Sequence, residues 1–265
     1  MPAHFPIDAA ATAIQPSPQQ IAQNEPDADG IAAVPNRPTF ATTAPTVQRG
    51  VLEIEYGFQG DRAHQNINGV VKFGIFNSLE LRFAQNPIEI DSGIASTGDC
   101  GIGFKWKFLV QHQARPDVAL LYSSTVSAAT SQLGVAAIGH SVQGLISKDF
   151  GKEHFDFNEG VQFVGRGAAV SGFDRNYFSA LSWSRVVIGK WGATAELAGF
   201  SWTNSKTPAT MTVLTAATYS VSPRLVLDAG AYVAAFGNLP RITSFFGATY
   251  SISDLYHRAG GGGGG

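Results

Sequence analysis

Residues 101–110, GIGFKWKFLV, decide how this chain is read. In an extended chain successive side chains point to opposite faces. Ile102, Phe104, Trp106 and Phe108 then share one face, and Gly103, Lys105 and Lys107 share the other. A half-buried strand of a water-soluble sheet would read the same way, so the number of recurrences carries the decision.

From Val51 onward about twelve strand-like runs follow one another, at 51–59, 66–76, 78–86, 98–110, 115–125, 133–148, 153–165, 176–189, 191–202, 208–221, 223–235 and 241–252. They are long compared with ordinary strands of five or six residues. Alternation is clean in Leu52, Ile54, Tyr56 against Glu53, Glu55; in Val71, Phe73, Ile75 against Lys72, Gly74; in Leu79, Leu81, Phe83 against Glu80, Arg82; and in Leu225, Leu227, Ala229 against Asp228, Gly230. Short links at 76–78, 111–114, 149–152, 189–190 and 222–223 alternate with longer ones such as QGDRAHQ, VSAATSQL and FGNLP. Tight turns on one rim and long loops on the other, with strands of about 9–11 residues, are the layout of an outer-membrane barrel. The expected fold is therefore all-β, an up-and-down antiparallel transmembrane barrel of about twelve strands. Aromatics near strand ends (Tyr56, Phe58, Trp106, Phe108, Tyr177, Phe178, Trp191, Trp202, Tyr219, Tyr250) are expected to form two interfacial girdles.

Composition agrees. Only 14% of residues are charged against 44% hydrophobic, too few charges to clothe a soluble β-sandwich with twelve apolar stripes. Net charge is −2 with no basic stripe, which argues against nucleic acid. Cys100 stands alone, so no internal disulfide and no cysteine zinc cluster is expected. No run of about 18 apolar residues marks a membrane helix, and no basic region followed by an apolar core marks a secretory signal at the start of the sequence. Residues 1–46, rich in Pro, Ala and Gln, read as a disordered leader; 47–253 as the barrel; 254–265 as a flexible Gly-rich tail.

The stretches NRPTFATTAPTVQRGVLEIEYGF, FNSLELRF, TGDCGIGFKWKF with RPDVALLYSS, and RLVLDAGAYVAAFGNLPRITSFFGATYSI resemble the outer-membrane transporter family named for the MetA pathway of phenol degradation. The resemblance spans residues 37–252 and implies a porin-like channel in the bacterial outer membrane that takes up hydrophobic or aromatic compounds. Its departures are the missing signal and a chain that runs on through SDLYHRAGGGGGG.

Inward parity assigns Glu53, Glu55, Lys72, Glu80, Arg82, Lys105, Lys107, Asp156, Glu196 and Asp228 to the lumen as the expected solute path. Charged rings set selectivity in pores, and a salt-bridged network that fills a narrow barrel is the alternative. The loops at 59–65, 86–97, 165–175 and 203–207 are expected to shape the constriction. Glu159 shares parity with Phe155, Phe157, Val161 and Phe163, and the pattern blurs around His140; a bulge there would change the parity, and without one Glu159 faces lipid at an unfavourable depth. No catalytic set emerges. In GHSVQG the last Gly sits one place too late for a nucleophile elbow, and adjacency puts His140 and Ser141 on opposite faces. GRGAAVSG has Val170 where a dinucleotide fingerprint needs Gly, and His4, His64, His112, His140, His154 and His257 lack metal-site spacing. The expected partners are membrane lipid, a small solute and the barrel-assembly machinery, with no cofactor or metal. The expected function is passive uptake of small apolar or aromatic solutes, and a non-conducting, partner-binding barrel is the alternative.

Overall fold

In the computed structural model, residues 26–91, 93–126, 138–166, 172–203, 208–236 and 242–258 are described. The strands are β1 (Val51–Gly60), β2 (His64–Phe76), β3 (Leu79–Asp91), β4 (Ile94–Ser96), β5 (Cys100–Leu109), β6 (Asp117–Val126), β7 (Gly139–Phe150), β8 (Glu153–Gly165), β9 (Phe173–Ile188), β10 (Trp191–Phe200), β11 (Thr210–Ser222), β12 (Leu225–Phe236) and β13 (Ile242–Asp254). Each long strand pairs antiparallel with its chain neighbours, β1 pairs β13, and the ring of twelve closes; β4 lies outside it and pairs only with β3. Closure leaves no unpaired edge, which is what a sheet in hydrocarbon requires. Ten of the twelve predicted runs match a strand to within three residues at both ends; β3 runs five residues further than predicted, and 133–137 of the run matching β7 lie outside the described residues, while the additions are β4 and a helical turn, Leu255–Arg258.

The tight turns, the start of β1 and the end of β13 gather at one rim, here called the turn side. Gly151 and Gly189 hold the two-residue turns at φ +63° and +55°, the left-handed region that suits glycine.

The outer wall is apolar. Ile102 is 60% exposed, Trp106 49% and Phe108 55%, whereas Lys105 between them is 0%. On the turn side Trp191 packs on Tyr219, Trp106 on Phe108 and Phe150 on Phe155. On the loop side Phe104, Tyr122, His140, Phe173 and Phe163 run ring to ring around the wall, and Tyr122 hydroxyl meets His140 Nδ1 at 3.0 Å. These are two girdles, with one correction. Phe178 does not belong to either: it points inward, is 3% exposed, and packs on Phe200. Its neighbour Tyr177 takes the outward place.

No bulge rescues Glu159. β7–β8 and β8–β9 pair without a register shift, so Glu159 faces outward, opposite Gly144 and Ser179, and accepts a hydrogen bond from Ser179 Oγ at 2.5 Å. His140 faces outward as well, and Ser141 faces inward, where Gln143 donates to it.

Candidate functional site

The lumen is not an open bore. Residues 31–49, expected within or beside a disordered leader, run inside the barrel as a strap. The segment has no helical or strand period, and its Pro residues forbid a regular ladder. Its backbone N–H and C=O groups must still find partners once buried. The barrel supplies them from inward side chains within one to five residues of the turn-side strand ends.

Following the strap along the chain, Asp27 holds Arg224 at the turn-side rim and Ala33 N–H donates to Pro223 O at 2.9 Å. Arg224 holds the Asp27 carboxyl below its ordinary range, chiefly through their hydrogen bond. Val34 N–H donates to Glu53 at 2.7 Å, and Asn36 N–H to Glu55 at 2.9 Å. Arg37 reaches Asp228 through Nε at 3.2 Å and Nη2 at 3.3 Å, and Asn68 through Nη1 at 3.0 Å. Phe40 and Ala41 N–H donate to the two oxygens of Glu196 at 2.9 and 2.7 Å. Thr42 exchanges hydrogen bonds with Asn158 in both directions at 2.7 and 2.9 Å. Ala44 N–H donates to Ser147 Oγ at 2.7 Å, and Ser147 donates to Asp156 at 2.5 Å. Lys105 donates to Thr43 O at 3.0 Å and Pro45 O at 2.6 Å, and Val47 N–H donates to Glu80 at 2.8 Å. The strap thus makes nearly a full circuit, from β12 and β1 past β10, β8, β7 and β5 to β3.

Of the ten predicted lumenal residues, eight take part in this circuit. Glu53, Glu55, Asp156, Glu196, Asp228, Glu80 and Lys105 do so as above, and Lys72 bridges Glu53 at 2.5 Å, pairs with Glu55, and donates to Val34 O at 2.7 Å. Glu80 also pairs with Lys105 at 3.4 Å and with Arg82 at 2.8 Å. Arg82 makes no hydrogen bond to the strap among the described residues and lines the loop-side lumen; Lys107 faces inward, half-buried, near the turn end of β5. The inward parity holds, but Glu53, Glu55, Lys72, Glu80 and Lys105 are fully buried under the strap instead of facing a wet bore.

Arg37 needs room at the wall. It lies over Gly57 and Gly247, which pair across β1 and β13, and a methyl group on either would overlap its guanidinium. Asn158, Ser147 and Arg37 itself also hold the strap, and alternation could not single them out. The available signal was positional: polar side chains on the inward parity of most strands, within a few residues of the turn-side end.

The strap divides the lumen. The turn-side cavity is lined by Asp117, Asp149, His154 and Lys190, the loop-side cavity by Phe40, Arg82, Leu214, Tyr232 and Phe245, and residues 37–39 line both. In the turn-side cavity His154 sits between Asp149 (Nδ1, 2.6 Å) and Asp156 (Nε2, 3.1 Å). On the loop side Phe40 packs edge-on against Phe200 (5.7 Å) and Tyr232 (5.1 Å). One thickness of backbone, the septum 37–39, separates the two vestibules. Parts of the predicted constriction, 167–171 and 204–207, lie outside the described residues, as do 1–25 of the leader and 259–265 of the tail.

A closed twelve-stranded ring with an apolar wall, two aromatic girdles and a polar lumen is an outer-membrane β-barrel. No family model matches the chain, and no curated protein matches it. Among solved structures it is similar to the COG4313 outer membrane channel from Pseudomonas putida F1, at 11% identity and a TM-score of 0.62, covering 81% of this chain and 100% of that one. It is also similar to the NanC porin (10% identity, TM-score 0.59, 76% of this chain and 100% of that one) and the KdgM porin (8%, 0.53, 76% and 99%). At such identities the likeness is one of fold.

Proposed function

We propose that the protein is an outer-membrane channel for small apolar or aromatic solutes in which the strap sets the gauge. The observation that carries this is the pair of vestibules meeting at the septum 37–39. A barrel built only as a scaffold has no use for cavities on both sides of a single-chain partition. The aromatic residues above the septum, Phe40, Tyr232 and Phe245, offer an apolar resting place. The resemblance to the family named for the MetA pathway supports the aromatic solute class, and the fold it shares with known channels supports transport over catalysis. Passage is passive, and delivery to the membrane uses the barrel-assembly machinery.

A second reading, the plugged and non-conducting barrel, is favoured by the fully buried charges that hold the strap. Two proteins reconstituted in planar bilayers and liposomes separate the readings: the full chain, and a chain lacking residues 26–47. Channel function predicts small conductance steps and toluene or phenol flux in the full chain, and a large increase in conductance without the strap. A full chain that passes neither ions nor solute would establish the plugged barrel.

A further inference from the structure

The lining of the loop-side vestibule combines two chemistries. Phe40, Leu214, Tyr232 and Phe245 are apolar or aromatic, with Tyr232 and Phe245 stacked at 6.4 Å. The guanidinium groups of Arg82, from β3, and of Arg37, lying over Gly57 and Gly247, line it too, together with the buried Glu55. Both arginines are matched by a carboxylate, yet the carboxylates lie beneath them. The Arg82 side chain is 13% exposed against 0% for Glu80, and the Arg37 side chain 14% against 3% for Asp228. The negative half of each pair is sealed and the positive half faces the cavity. Arg82 donates to Glu80 through Nη1 and has no other hydrogen-bond partner among the described residues. Its remaining N–H groups form a planar fork matched to a carboxylate.

We infer that this vestibule binds small aromatic carboxylates, the ring against Tyr232 and Phe245 and the carboxylate on Arg82 with Arg37 beside it. The inference rests on the channel reading and deepens it by naming the head group of the solute. It also explains why a pathway for apolar compounds keeps one cation in its septum and another on the loop side of it: they hold the polar end while the ring meets the aromatic side chains. A cationic or neutral molecule of the same size gains only the second contact.

Three ligands with one ring and different heads test this: benzoate, benzyl alcohol and benzylamine, titrated calorimetrically at pH 8 into the full chain in detergent, with protein-free micelles as the control. Benzoate is expected to bind about tenfold more tightly than benzyl alcohol, the worth of one charge-assisted hydrogen bond, with benzylamine weakest. Arg82→Gln is expected to bring benzoate down to the level of benzyl alcohol, and Phe245→Ala to weaken all three. Equal binding of benzoate and benzyl alcohol by the unmodified chain, tighter binding of benzylamine, or no binding of any of the three overturns the inference without recourse to a variant. Flux distinguishes it from the reading beneath it. Benzoate binding in a barrel that conducts nothing would sink the channel and keep the site; flux of toluene without head-group preference would do the reverse.

Discussion

Replacing Glu196 by Gln tests whether the strap is held by individual hydrogen bonds or merely trapped. The Glu196 side chain is buried, and its two oxygens receive Phe40 and Ala41 N–H at 2.9 and 2.7 Å. A carboxylate accepts both; an amide presents one oxygen and one NH2. One charge-assisted bond is lost, about 1.5–3 kcal/mol, and the survivor becomes neutral, weaker by about 1 kcal/mol. The sum is about 3 kcal/mol, or roughly a hundredfold in the equilibrium between docked and released strap around residue 40. Native-state hydrogen exchange at pH 8 reads it directly: Phe40 and Ala41 amides should lose about two decades of protection while amides in β10 and β11 keep theirs. Protection at those two positions within threefold of the unmodified chain would refute the idea that Glu196 anchors the septum.

Lys105 and Lys107 sit two residues apart on the same face of β5, but only Lys105 is fully buried, with two strap carbonyls and Glu80 as partners. Removing one member of a buried pair costs about 3–5 kcal/mol, so Lys105→Met should destabilise the barrel by that amount in urea titrations within lipid vesicles, and Lys107→Met by less than about 1 kcal/mol. Equal effects would contradict the circuit described above. Glu159 lies midway along β8 on the lipid side, with Ser179 as its one hydrogen-bond partner among the described residues. Glu159→Leu is expected to stabilise the barrel in the same titration by about 1–2 kcal/mol, since ionisable groups at the bilayer centre are unfavourable; a loss of stability would mean that this face is not in hydrocarbon.

What the sequence disclosed and what it hid have one physical origin. A strand in a barrel writes its surroundings into its own side chains, so alternation in residues 101–110 and 79–83 gives parity, turn and wall directly. The strap writes nothing locally. Thr42 meets Asn158, 116 positions away, and Arg37 meets Asp228, 191 away, so the order of residues 31–49 is encoded in the barrel and not in the segment. Its Pro-, Ala- and Thr-rich stretch therefore looks like a leader. The predicted charges on the inner wall were correctly oriented for the same local reason, while their role as strap anchors needed contacts that no window of sequence contains. Phe178 was assigned to a girdle because it is aromatic and near a strand end; parity, the stronger signal, already placed it opposite Tyr177. Glu159 carries the complementary lesson: its parity was right, and the bulge was introduced only to avoid an unfavourable outcome that the barrel in fact accepts.

The two ends of the strap leave the barrel at the same rim, Asp27 beside Arg224 and Gly50 beside Leu255 and Gly74. A segment with both feet on one shore is topologically a bight, not a thread. It can slide into a finished cylinder, or back out of it, without unzipping β1 from β13 and without passing a free end through the bore. Closing the ring and seating the septum are thus topologically separable events.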